Sequence, residues 1–156
     1  MIEVATGPLS RPYYYAGIGS RRTPNDVLEF MERTARGLAQ AGWELRSGGA
    51  RGADKAFERG AGAKPKQIFR PTDDPKAAEI ARDHHLAWGL CNPDAQALLA
   101  RNAFVILGPE LNDPVRFVLC WTDDPPNRGG TNHACRIARA HGVPVINLHD
   151  GGASYG

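Results

Sequence analysis

The chain has 156 residues, 42% hydrophobic and 23% charged, with a formal net charge of +2 at pH 7. These values suit one globular domain, residues 1–156, and exclude a chain disordered throughout. So small a net charge cannot argue for nucleic acid by itself, and no run approaches the ~18 apolar residues of a membrane span.

Cys91, Cys120 and Cys135 are odd in number and lack a CxxC spacing, which disfavours a disulfide framework and favours a reducing compartment. Residues 1–8 carry neither the basic nor the apolar region of a secretory signal. The expectation is a soluble cytoplasmic protein with no membrane partner.

After a short N-terminal arm, Tyr13 to Ile18 is an apolar run that reads as a buried strand. Thr23-Pro24-Asn25-Asp26 then predicts a helix start, with Thr23 as cap and Pro24 at the first helical position. Val27, Leu28, Met31, Ala35 and Leu38 recur at helical spacing up to Gly42. A second strand is expected over Trp43 to Arg46, a helix over Ala53 to Ala61, and a third strand over Gln67 to Arg70.

Lys76 to Trp88 reads as a helix. Another starts after Asn92-Pro93 and takes in the apolar run Phe104 to Leu107, whose positions continue the pattern begun at Ala95. Phe117 to Trp121 is a fourth strand. Gly129-Gly130-Thr131 opens a last helix to about Ala140, Gly142 ends it, and Val143 to Leu148 is the final strand. A glycine-rich tail follows His149, leaving a core of about 13–148. Apolar strands alternating with helices predict an α/β fold: a Rossmann-like three-layer αβα sandwich on a mainly parallel sheet.

Three places share one signature, an apolar strand, then small residues, then a helix start. They are Gly17-Ile18-Gly19-Ser20-Arg21, Ser47-Gly48-Gly49-Ala50-Arg51-Gly52 and Arg128-Gly129-Gly130-Thr131. Helix N-termini leave unpaired N–H groups and partial positive charge, and glycine allows a phosphate close to that backbone. Glycines that merely make tight turns are the alternative reading for any one of them. Neither GxGxxG nor GK[ST] follows a strand, so no cofactor is expected.

The expected phosphate site comprises Gly19, Ser20, Arg21, Ser47, Gly48, Gly49, Arg51, Asp54, Gly129, Gly130, Thr131, Asn132 and His133. Asp54 suits either a ribose hydroxyl or its own helix end. Glu58, one turn on, is a candidate general base or a partner of Arg51 or Lys55. No metal is expected: His84 and His85 are adjacent and diverge on a helix, and Asp123-Asp124 sits in a polar, Pro-rich loop. Trp88 and Trp121 could stack on a base or belong to the core.

Those three motifs, with Arg101-Asn102 and Cys120-Trp121-Thr122, resemble the SLOG superfamily from about Tyr13 to Leu148. This Rossmann-like group includes the DNA-processing protein DprA and the LOG phosphoribohydrolases. The middle motif is especially similar to that of DprA, and the overall pattern to small stand-alone SLOG proteins of phages and bacteria. The resemblance implies a nucleotide or ADP-ribose-like ligand, either held as a signal or cleaved at its N-glycosidic bond.

Arg101 matches the LOG catalytic arginine, but Asn132, His133 and Ala134 stand where that pattern has its glutamate. A DprA-like single-stranded DNA binder is the alternative, with Arg21, Arg22, Arg46 and Arg51 available for phosphates. Relatives in the superfamily also imply a homo-oligomer.

Overall fold

In a computed structural model, the described residues are 12–150; the N-terminal arm and most of the glycine-rich tail lie outside them. Strands β1 (Tyr13–Gly19), β2 (Trp43–Ser47), β3 (Lys66–Ile68), β4 (Val118–Trp121) and β5 (Val145–Asn147) form one sheet. Helices α1 (Asn25–Gln40), α2 (Ala53–Ala61), α3 (Pro75–Asp83), α4 (Pro93–Leu107) and α5 (Gly130–Ala140) connect or cover them.

The sheet order is β3-β2-β1-β4-β5 and every pairing is parallel. This is the expected α/β Rossmann-like arrangement. The chain leaves β1 toward one edge through β2 and β3, then returns to the other side of β1 for β4. The topological switch point therefore lies between β1 and β4, where open parallel sheets form a crevice at the strands' carboxyl ends.

Both faces of the sheet are covered, so its strands read as continuous apolar runs. On one face Tyr15, Leu45 and Leu119 pack with Met31 and Ala35 of α1 and Phe57 of α2. On the other, Ala16, Ile18, Val118 and Cys120 pack with Val105 and Ile106 of α4 and Ile137 of α5. Gly17 belongs to this packing: a Cβ there would lie 2.5 Å from the Phe57 ring, so α2 sits against the sheet only because the side chain is missing. Trp121 is 7% exposed and is core.

Phe104 to Leu107 is helical, as the continued spacing predicts. Asn92 starts α4 by accepting a hydrogen bond from the Ala95 amide at 2.8 Å, with proline at the first turn. Two local expectations are corrected. Thr23 does not cap α1: it is buried and its hydroxyl donates to the Ser20 carbonyl at 2.6 Å, closing the β1–α1 loop. The helix expected to Trp88 ends at Asp83, and Trp88 lies in a short 3-10 turn against His85. Among the described residues no helix is long and apolar enough to cross a membrane.

Candidate functional site

The carboxyl ends of β1, β2 and β4 are adjacent in the sheet, so the three glycine turns meet along one edge. Between them opens a cleft of about 600 Å³, whose wall includes Gly19, Ser20, Arg21, Gly48, Arg51, Asp54, Arg101, Gly130 and Thr131. Sequence spacing could not show that these turns, the first and last of them more than a hundred residues apart, share a wall. The parallel topology brings them together.

Asp54 organises the deepest part. It is 5% exposed, at the start of α2. Its carboxylate accepts hydrogen bonds from the backbone N–H groups of Gly19 (3.2 Å), Gly48 (3.2 Å) and Ala50 (3.3 Å). An anion of the protein's own thus fills the amide cradle that the glycines were expected to offer a phosphate. Burial raises its pKa to about 6, against the lowering influence of Arg101 and the three amides. The carboxylate is still mostly ionised at neutral pH.

Arg101 is the cationic counterpart. Its Nη1 donates to the carbonyls of Gly48 (2.8 Å) and Phe69 (3.4 Å). Desolvation lowers its pKa while Asp54 holds it up, and a guanidinium keeps its charge regardless. A Cβ on Gly48 would lie 2.6 Å from the Arg101 Cζ, and one on Gly19 would lie 2.6 Å from the Ala53 Cβ. These two glycines admit protein neighbours, a guanidinium and a helix.

Arg21 and Arg51 are exposed on the rim. Arg22, also exposed, is paired with Asp123 and, at 3.3 Å, with Asp124. Arg46 is not a surface cation. At 1% exposure it stacks on Tyr14 and donates to Gln67 and to the Asp113 carbonyl, bracing the loop before β4.

Several of the expected site residues do not line the cleft. Ser47 is buried and donates its hydroxyl to the Gly17 carbonyl at 2.6 Å. Gly49 and Gly129 have positive φ, 75° and 84°, and shape their turns without lining the cleft. Asn132 donates to the carbonyls of Asp124, Pro125 and Arg128 and so holds the loop before α5. Glu58 also stands off the cleft and pairs with Lys55 at 3.4 Å.

His133 is fully buried. Burial pushes its pKa down to about 4, so it is neutral under ordinary conditions. Sequence reasoning missed the opposite wall, where Ala95, Leu98, Leu99, Asn102 and Val105 of α4 face the cleft. Their spacing along one helix face was the available signal. Among the described residues, no group of three or more His, Cys, Asp or Glu side chains is arranged to hold a metal ion.

No protein-family model matches the chain, and no curated protein matches it in sequence. A solved structure of DNA processing protein A from Helicobacter pylori, described for its single-stranded DNA binding mode, superposes with a TM-score of 0.62 at 23% identity. The match covers 87% of this chain and 65% of that one. At this identity the likeness establishes the fold alone: the chain has the Rossmann-like α/β fold found in DNA processing protein A.

Proposed function

We propose that the chain binds single-stranded DNA across the carboxyl edge of its sheet. The carrying observation is the separation of the two kinds of anion-binding group. Asp54 already occupies the amides of Gly19, Gly48 and Ala50, while Arg21 and Arg51 stand exposed on the rim beside Arg101. A phosphate would therefore be met by guanidinium groups at the surface, where the backbone of an extended strand can pass without entering the interior. The fold shared with a protein described as binding single-stranded DNA supports the same reading.

A free nucleotide is the second reading, favoured by the cleft's volume of about 600 Å³, which lies within the range of small-molecule sites. Cleavage of an N-glycosidic bond is not part of the proposal, because Glu58 lies off the cleft and Arg101 is engaged with main-chain carbonyls.

Fluorescence anisotropy with a labelled oligothymidylate, its duplex form and thymidine monophosphate as competitor separates the two readings. The proposal expects the single strand to bind tighter than the duplex, with affinity falling as salt rises by about 0.7 logarithmic units per phosphate contact. Thymidine monophosphate displacing the oligonucleotide at equal concentration would transfer the function to the free nucleotide.

A further inference from the structure

The α4 wall of the cleft differs chemically from the arginine rim. Leu98, 44% exposed, stands there with Ala95 and Leu99, a small apolar surface facing cationic groups across a gap. Beside it is Asn102, 8% exposed and also part of the cleft wall.

Its amide orientation is fixed from behind. Asn102 Nδ2 lies 3.1 Å from the Gly130 carbonyl oxygen. That oxygen can only accept, so the atom facing it is the nitrogen. The second amide hydrogen goes to His133 Nδ1 at 3.0 Å. His133 Nε2 then carries the ring proton and donates to the Ala81 carbonyl at 2.9 Å.

Both amide hydrogens of Asn102 are thus committed to the protein. Its Oδ1 accepts no hydrogen bond among the described residues and is open to the cleft whose wall Asn102 joins, although the residue as a whole is only 8% exposed. With both hydrogens held by the protein, the amide presents only an acceptor to the cleft, and it presents it beside an apolar surface.

We infer that the α4 wall is a nucleobase subsite. The base lies on Leu98 and Leu99 and donates a Watson–Crick-edge N–H to Asn102 Oδ1, while its phosphate meets Arg21 or Arg51. Each natural base carries such a donor, so the contact reads an unpaired base without choosing among the four. In a duplex those N–H groups are already paired, which gives a chemical reason for single-strand preference. His133 is the positioning residue that holds Asn102 in this orientation. The inference rests on the proposed binding of nucleotide units at this cleft, yet it can fail separately.

The test uses the full chain and five probes: oligothymidylate, the same length of abasic deoxyribose phosphate, an oligonucleotide of N3-methylthymidine, thymidine monophosphate and deoxyribose 5-phosphate. Oligothymidylate is expected to bind roughly tenfold tighter than either modified strand. Leu98→Ser, at an exposed position that leaves the core intact, is expected to reduce oligothymidylate affinity severalfold and leave the abasic strand unchanged.

Equal binding of the abasic strand would overturn the subsite and leave the single-strand reading intact. Equal binding of the N3-methyl strand would overturn the role given to Asn102. Binding of thymidine monophosphate but not of deoxyribose 5-phosphate, with no oligonucleotide bound, would keep the subsite and remove the single-strand reading. No binding of any probe would remove both.

Discussion

The turns after β1 and β2 and the turn before α5 share one sequence signature and end in different physical states. The first two are closed. Their amides converge on the Asp54 carboxylate and a guanidinium lies against Gly48. In the third no carboxylate is hydrogen-bonded to the turn's amides: Gly129 caps α5 with no side chain bonded to it, the Asp124 carboxylate lies against Gly129 but bonds Arg22 and Thr122, and nothing lies within 4 Å of a Cβ built on Gly130. A glycine-rich strand-to-helix turn thus need not be an anion site. What decides is whether the protein supplies its own anion.

Removing that internal anion should break the comparison most severely. Asp54→Ala leaves three half-buried amides unpaired and strips Arg101 of its counter-charge, a loss of about 3–5 kcal/mol that urea denaturation would register. A loss below about 1 kcal/mol would mean that the closed turns do not depend on the carboxylate.

The same group gives a pH signature. Asp54 has its folded pKa raised from 3.8 to about 6, so its contribution is fully present below pH 4 and is lost as pH rises toward 6. His133 has its folded pKa lowered from 6.5 to about 4, so its contribution is present above pH 6.5 and is lost as pH falls toward 4. Over nearly one window the two oppose each other. Stability measured from pH 4 to 6.5 should therefore rise with pH in Asp54→Asn and fall with pH in His133→Gln, by about 2–3 kcal/mol each. Parallel profiles in the two variants would refute the assignment.

Gly48→Ala against Gly130→Ala sharpens the contrast at smaller cost. The first methyl would collide with the Arg101 guanidinium and is expected to cost about 1–3 kcal/mol. The second enters open space at the first turn of a helix and should be neutral or stabilise by up to about 1 kcal/mol. Thermal unfolding of the two variants reads the difference directly.

How far the sequence revealed this site follows from where the partners lie. The strand–turn–helix units and the continuation of α4 through Leu107 were legible, because spacing, caps and glycines act within a few residues. The tenant of Gly48 was not, since Arg101 is 53 residues away. Asp54 looked equally suited to a ribose or to its helix end, and its amide partners come from two different loops. The early end of α3 lacked any signal: no Gly or Pro stands at 84 or 85, and the stop comes from tertiary contacts such as Arg136 Nε donating to the His84 carbonyl. His133 looked like a ligand contact because it starts a helix beside a glycine turn, but α3 covers it with the Ala81 carbonyl.

The smallest effect expected on stability accompanies the clearest one on binding. Arg51→Ala, at an exposed position, should leave the unfolding midpoint unchanged while reducing the salt dependence of oligonucleotide affinity by about 0.7 logarithmic units. An unchanged salt slope would place Arg51 off the phosphate path.

The most direct measurement is a map of backbone amide shifts by nuclear magnetic resonance while the chain is titrated with oligothymidylate. The account predicts that shifts concentrate at Ser20 to Arg22, Gly48 to Arg51 and the first three turns of α4. Shifts confined to the acidic and basic face of α1 around Glu32 and Arg36, with the carboxyl edge of the sheet silent, would contradict it.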